Sequence, residues 1–202
     1  MNRALWLYLG VFATVIASFL GLVQLPDHQL RGLEPVRDES GVDRPLRPEG
    51  GVLAGRQEYI GLGCLYCHSQ QVRPDGFGAD IARGWGIRRS VARDHIWDTP
   101  PVLGSMRTGP DLTNIGARQP SAAWHLLHLY RPRLTSPGSI MPEYPFLFTQ
   151  QRLELERPAD ALSFPSGDPR PGWVTLPTYR AKDLVAYLVS LDHSYPVPEV
   201  RP

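Results

Sequence analysis

Hydrophobic and polar positions divide the chain sharply. From Ala4 to Leu25 no residue is charged, and Leu, Val, Ile, Phe and Ala dominate. At 1.5 Å per residue a helix of about 21 residues spans roughly 30 Å, the apolar thickness of a bilayer. Trp6 and Tyr8 near one end suit a membrane interface. A cleaved signal peptide needs an apolar stretch of only about 7–15 residues and a small-x-small cleavage site. This run is longer, and Phe19-Leu20 and Gln24-Leu25 are poor cleavage sites. Residues 1–25 are therefore expected to form an uncleaved transmembrane anchor. Flanking charge does not orient it, because Arg3 and the α-amino group on one side balance Arg31 and Arg37 on the other.

Beyond the anchor the apolar pattern becomes intermittent. Residues 26–51 mix charges with Pro and Gly, without periodicity, and read as a linker. Helical spacing resumes over 52–63, with Val52, Leu53, Tyr59, Ile60 and Leu62 bracketed by glycines. Residues 70–120 read as long loops with short helical turns. Ser121 begins a capped helix reaching Tyr130, residues 131–178 read as loop again, and Lys182–Leu191 is a compact amphipathic helix with Leu184, Tyr187, Leu188 and Leu191 on one face. The expected architecture is mainly α, with a domain over 52–192 and a tail over 193–202. Loops this long are unusual in a small domain unless a large apolar object supplies the missing core.

Composition narrows the classes. Of 202 residues, 19 are Gly and 21 Pro, which favours loops, and the net charge of +1 argues against nucleic acid as a partner. A negative mean hydropathy excludes a polytopic membrane protein. Two cysteines cannot staple a chain of this length.

Both cysteines fall in Cys64-Leu65-Tyr66-Cys67-His68, a C-x-x-C-H string, which is the attachment signature of c-type haem. Each thiol adds to a vinyl group, and the adjacent His presents its imidazole to the iron. A zinc site would want further Cys or a paired His, and a thioredoxin-like dithiol would want a preceding strand and no His. A low-spin electron-transfer haem takes a sixth ligand, commonly a Met thioether. Met141, in Ser139-Ile140-Met141-Pro142, sits in a Pro/Gly-rich loop where core packing explains it poorly. Met106 lies close to Gly109-Pro110-Asp111-Leu112, an element suited to offering the Pro110 carbonyl to the His68 ring N–H. Met141 is therefore the expected sixth ligand. His125 and His128 share a helical face, and packing beside Trp124 accounts for them better than ligation. His28 and His193 read as solvated. Arg73, Arg88, Arg89, Arg107 and Arg118 are candidates to pair with haem propionates, with Arg73 and Arg107 nearest the haem-binding elements. Haem attachment of this kind takes place outside the bacterial cytoplasmic membrane. That orients the amino terminus inside and the large domain in the periplasm.

Cys64–Pro74, Gly104–Leu112, Trp124–Arg133 and Ser139–Phe146 together resemble the mono-haem subunit of cbb3-type cytochrome c oxidases. The likeness extends, with gaps, from residue 52 to about 192, and the strings C-H-S-Q-x-x-R-P and R-T-G-P-D-L carry most of its specificity. It implies a class I-like cytochrome c domain behind a membrane anchor, with Cys64 and Cys67 as thioether sites and His68 and Met141 as axial ligands. It further implies an electron-transfer subunit, not an enzyme on its own. Such a subunit docks on a polytopic haem-copper catalytic subunit and receives electrons from a further cytochrome c. Family members can place a calcium ion near the propionates at that interface, where Ser105 matches a contributor. The chain departs from the family at Leu103, where Trp is usual, and at Met106, where Lys is usual. The haem c subunit of a nitric oxide reductase, a free-standing tethered cytochrome and a periplasmic thiol–disulfide module are the competing readings.

Overall fold

The structure, a computed structural model, describes residues 3–200. It opens with α1 (Arg3–Phe19), a π-helical stretch (Leu20–Gln24) and α2 (Leu25–Leu30), which run on as one helix, Arg3–Leu30. No residue of it is buried, and it is long and apolar enough to cross a membrane. Pro26 accounts for the π widening. A proline inside a helix offers no N–H to the preceding turn and crowds its carbonyl, and the Leu25 N–H bonds back to Leu20 instead.

Residues 26–51, expected as linker, contain a small hairpin of β1 (Val36–Arg37) and β2 (Asp43–Arg44). Asp38 closes its turn. One carboxylate oxygen accepts bonds from the Ser40 hydroxyl and from the Ser40 and Val42 N–H groups, and the other accepts from Arg44.

Behind the hairpin come α3 (Gly50–Gly61), α4 (Ile115–Arg118), α5 (Ala122–Tyr130) and α6 (Tyr179–Ser190). α6 begins three residues before the expected Lys182, because Thr178 caps it: its hydroxyl accepts from Ala181 N–H and donates to the Leu147 carbonyl at 2.8 Å. α3 crosses α6 at Gly55. A Cβ there would lie 1.8 Å from the Asp183 carbonyl oxygen, so only glycine lets the backbones meet. Gly116 does the same for α4, where a Cβ would fall 2.0 Å from the Val189 oxygen. Tyr59, Leu129, Leu147, Leu184, Val185 and Leu188 form the core between these helices.

Two expectations need correction. The stretch 131–178 is not all loop. β3 (Phe148–Arg152) pairs antiparallel with β4 (Trp173–Pro177), in register from Phe148 opposite Pro177 to Arg152 opposite Trp173. β3 is exposed beyond Phe148 and rich in Thr, Gln and Arg, which hides it from a search for buried apolar runs. His193 is not solvated either: its Nδ1 is buried without a partner. Residues 193–200 fold back, with Tyr195 and Val197 packed on Val91. The Arg88 guanidinium donates to both Asp94 oxygens, at 2.9 and 2.7 Å, and to the Tyr195 carbonyl.

Candidate functional site

α3 ends where the cysteines begin. Gly63 takes a left-handed conformation (φ +74°) that side-chain-bearing residues avoid, and the helix stops there. The chain tightens into a 3-10 turn over Cys64–Tyr66, and the N–H groups of Cys67 and His68 both donate to the Cys64 carbonyl, at 3.1 and 2.9 Å. One turn thus carries both thiols and the imidazole. Cys67 is exposed and Cys64 half-buried. Burial pushes the Cys64 thiol up to about 11, so it stays protonated and is not primed for thiolate chemistry.

His68 is seated by the segment 103–112. Its Nδ1–H donates to the Pro110 carbonyl at 2.8 Å, which leaves the Nε2 lone pair free. Burial holds its pKa below the ordinary value, outweighing the Pro110 carbonyl, so the ring is neutral. The backbones run side by side: Gly109 N–H donates to Cys67 (2.9 Å), Leu112 N–H to Ser69 (2.8 Å), and Gln70 N–H to Leu103 (2.7 Å). The ring lies so close to Gly109 that a Cβ there would be 2.2 Å from Cε1.

These residues face a cavity of about 490 Å³, within the range of roughly 300–1,000 Å³ found for cofactor sites. Cys64, Cys67 and His68 line it together with Met141. Leu112, Ile115, Leu129 and Leu188 give it apolar walls. Met141 sits in a loop shaped by two bonds: Ser139 N–H donates to the Ser136 carbonyl, and Met141 N–H to the Ser139 hydroxyl at 3.2 Å.

α5 supplies a wall that sequence reasoning undervalued. Trp124, His125 and His128 all border the cavity. The histidines are packed and hydrogen-bonded beside Trp124, as expected: Trp124 stacks on His128 at 4.6 Å and meets His125 edge-on. His125 Nε2–H donates to the Gln119 carbonyl at 2.8 Å. His128 Nδ1–H donates to the Thr135 hydroxyl, which itself donates to Pro132. Burial lowers both pKa values, that of His128 to about 4. Their i, i+3 and i+4 spacing was visible in the sequence; what that face confronts was not.

The five candidate arginines lie elsewhere, and none lines the cavity. Arg73 and Arg107 converge on Asp80, at 3.1 and 2.6 Å. Asp80 is fully buried; burial alone would raise its carboxyl, but the hydrogen bonds from Arg73 and Arg107 bring it down to about 2. Arg107 also donates to the Gln71 carbonyl at 2.6 Å and lies over the Trp85 ring. Arg88 is held by Asp94, Arg89 donates to the Glu199 carbonyl, and Arg118 donates to the Asp111 carbonyl.

The donor set suits a haem. Two thiols on one turn, a neutral imidazole with a free Nε2, and a thioether share one apolar cavity. Among the described residues no group of three or more His, Cys, Asp or Glu side chains could hold a metal ion directly. No curated protein matches the sequence. A family model described as cytochrome c oxidase, mono-heme subunit/FixO, matches residues 3–164, from the apolar helix through the cavity loop of Met141. The chain belongs to the FixO family, the mono-haem subunits of cytochrome c oxidase.

Proposed function

We propose that the protein is the membrane-anchored electron-transfer subunit of a cbb3-type oxidase, carrying one covalently attached haem c. The observation that carries the reading is the meeting of Cys64, Cys67, His68 and Met141 on one cavity, with the His68 Nδ1–H bonded to the Pro110 carbonyl. Cys64 and Cys67 would hold the group through thioether bonds, and His68 Nε2 and the Met141 sulfur would ligate its iron. When bound, a haem supplies a one-electron Fe(III)/Fe(II) couple. The chain's own residues tune that couple. The Pro110 carbonyl makes His68 a more basic ligand, while the thioether favours the reduced form. The apolar walls exclude water and lower the local dielectric, which disfavours the extra positive charge of the oxidised state. With both His68 and Met141 ligating the iron, no position would remain for substrate, and oxygen reduction would belong to a partner catalytic subunit. A donor cytochrome c supplies the electrons.

The crossing of α3 and α6 at Gly55, in the helix that leads into the Cys64–His68 turn, supports a class I-like domain over residues 52–192. Haem attachment of this type would put that domain in the periplasm, and Arg3–Leu30 is long and apolar enough to cross a membrane, which supports its role as the anchor.

The test is a pyridine haemochrome assay on the detergent-purified complex, alongside the Met141→Leu variant. One haem c per chain is expected. In M141L the haem remains attached, its reduction potential falls, and carbon monoxide gains access to the iron. An unchanged potential and no carbon monoxide binding would sink the Met141 assignment. A colourless wild-type protein would return both cysteines to thiol chemistry.

A further inference from the structure

We propose that Asp111 is a positioning residue for the His68 imidazole. Its carboxylate locks the segment carrying Pro110 onto the segment carrying His68, and so sets the Nδ1–H···O=C bond.

Asp111 is fully buried, and a buried carboxylate costs several kcal/mol unless its oxygens are bonded. Here they are. Oδ2 accepts from the Ser69 hydroxyl at 2.6 Å and from the Gln71 N–H at 2.8 Å, and Oδ1 accepts from the Thr113 N–H at 2.9 Å. The placement is specific. Asp111 follows Pro110 directly and Ser69 follows His68 directly, so the carboxylate bridges the two chains one residue away from the His68–Pro110 bond on each side. The neighbouring backbone bonds, Gly109 to Cys67 and Leu112 to Ser69, do not hold the Gln71 N–H; Asp111 does.

The surrounding charges support the same clamp. Arg107 Nη2 lies 3.9 Å from Asp111 Oδ2 and donates to the Gln71 carbonyl, while its Nη1 is 2.6 Å from Asp80. Residues 107 and 111, one helical turn apart in number, thus grip Gln71 through its carbonyl and its N–H. Arg118 donates to the Asp111 carbonyl. Asp80 offsets one of the arginines, so Asp111 keeps a balanced surrounding without a direct short ion pair. Asparagine cannot replace it: an amide has one acceptor oxygen, and its NH₂ would face the N–H of Thr113 or of Gln71. Glutamate keeps the charge but adds a methylene to a site with no exposed volume.

A looser Pro110 carbonyl weakens the hydrogen bond to Nδ1, makes His68 a poorer donor to iron, and raises the reduction potential. This prediction rests on the haem reading above. The experiment compares Asp111→Asn, Asp111→Glu and Asp94→Asn in the intact detergent-solubilised complex. Three quantities are read: haem c per subunit by haemochrome, the reduction potential, and the g values of the low-spin ferric electron paramagnetic resonance signal. Both Asp111 variants are expected to keep the haem, shift the potential upward and move the g values. Asp94→Asn removes a buried charge bonded to Arg88, Val91 and Tyr195, none of which belongs to the clamp, and is expected to leave the g values in place. The proposal is overturned if Asp111→Glu matches wild type in potential and g values, because lost charge alone then explains Asp111→Asn. If neither Asp111 variant assembles, Ser69→Ala removes one of the three bonds and is expected to shift both readouts the same way by less; no shift overturns the proposal. Absence of haem c from the wild-type complex would instead bring down the haem reading itself.

Discussion

Gly109 shows how little freedom the residues around His68 have. A single added carbon would fall 2.2 Å from Cε1 and 2.6 Å from Nδ1 of the imidazole, well inside van der Waals contact. Neither side can yield easily, since the ring is tied to Pro110 and the Gly109 N–H to the Cys67 carbonyl. Gly109→Ala is therefore expected to displace the ring and cost about 1–3 kcal/mol, the usual range for overpacking. Denaturant unfolding of the purified variant checks this, and its visible spectrum reports whether the ligand has moved. A stability within about 0.5 kcal/mol of wild type, the range of an ordinary surface change, would mean that the loop yields without cost. The residues of the Cys64–His68 turn were legible as a unit, because a C-x-x-C-H string is local and covalent spacing alone puts them on one turn. The arginines were not. Any of five could have faced the cavity, and the choice depended on which carboxylates the fold buried nearby: Asp80 drew Arg73 and Arg107, and Asp94 drew Arg88.

At the scale of elements the helices are organised by close backbone approach. α3 and α6 touch through Gly55, whereas Gly61, at the end of the same helix, meets nothing within 4 Å. The two glycines make a matched pair. Gly55→Ala drives a methyl group into the Asp183 carbonyl and is expected to destabilise by about 1–3 kcal/mol. Gly61→Ala meets open space and is expected to be neutral or to stabilise by up to about 1 kcal/mol, through reduced backbone entropy in the unfolded chain. Thermal or urea unfolding of both variants separates them; equal effects would refute the crossing geometry. The amphipathic helices were readable from their apolar spacing, since their buried faces repeat every three to four residues. The β3–β4 pair was not, since β3 is largely exposed and depends on β4, across an intervening loop, for its hydrogen bonds.

At the scale of the whole molecule, stability carries a pH signature set by burial. His193 lies among Asp94, Asp98, Arg88 and His95, and burial lowers its pKa from 6.5 to about 4, against the pull of Asp94. The sign follows directly. Between these two values the unfolded chain binds a proton that the folded one refuses, so stability is full above pH 6.5 and falls as the pH drops toward 4. Each proton taken up on unfolding contributes about 1.4 kcal/mol per pH unit. Asp94 also has a lowered pKa, despite burial, through its bonds to Arg88, and so titrates below this window. Urea unfolding between pH 4 and 7 is expected to show a shallower slope for His193→Gln than for wild type. Identical slopes would place the proton uptake elsewhere.

The sequence by itself determined the apolar helix, the C-x-x-C-H turn, the candidate Met141 and the amphipathic helices. Each is a property of residues close together along the chain, where covalent spacing and helical periodicity do the placing. Only the tertiary structure decided that α5 walls the cavity, that Asp80 and Asp111 gather the segment 103–112 against His68, and that His193 is buried rather than solvated. Those contacts join residues far apart in sequence. Many pairings of like residues were compatible with the same string, and burial selected among them, because a charge or ring removed from water must find whichever partner the fold brings within reach.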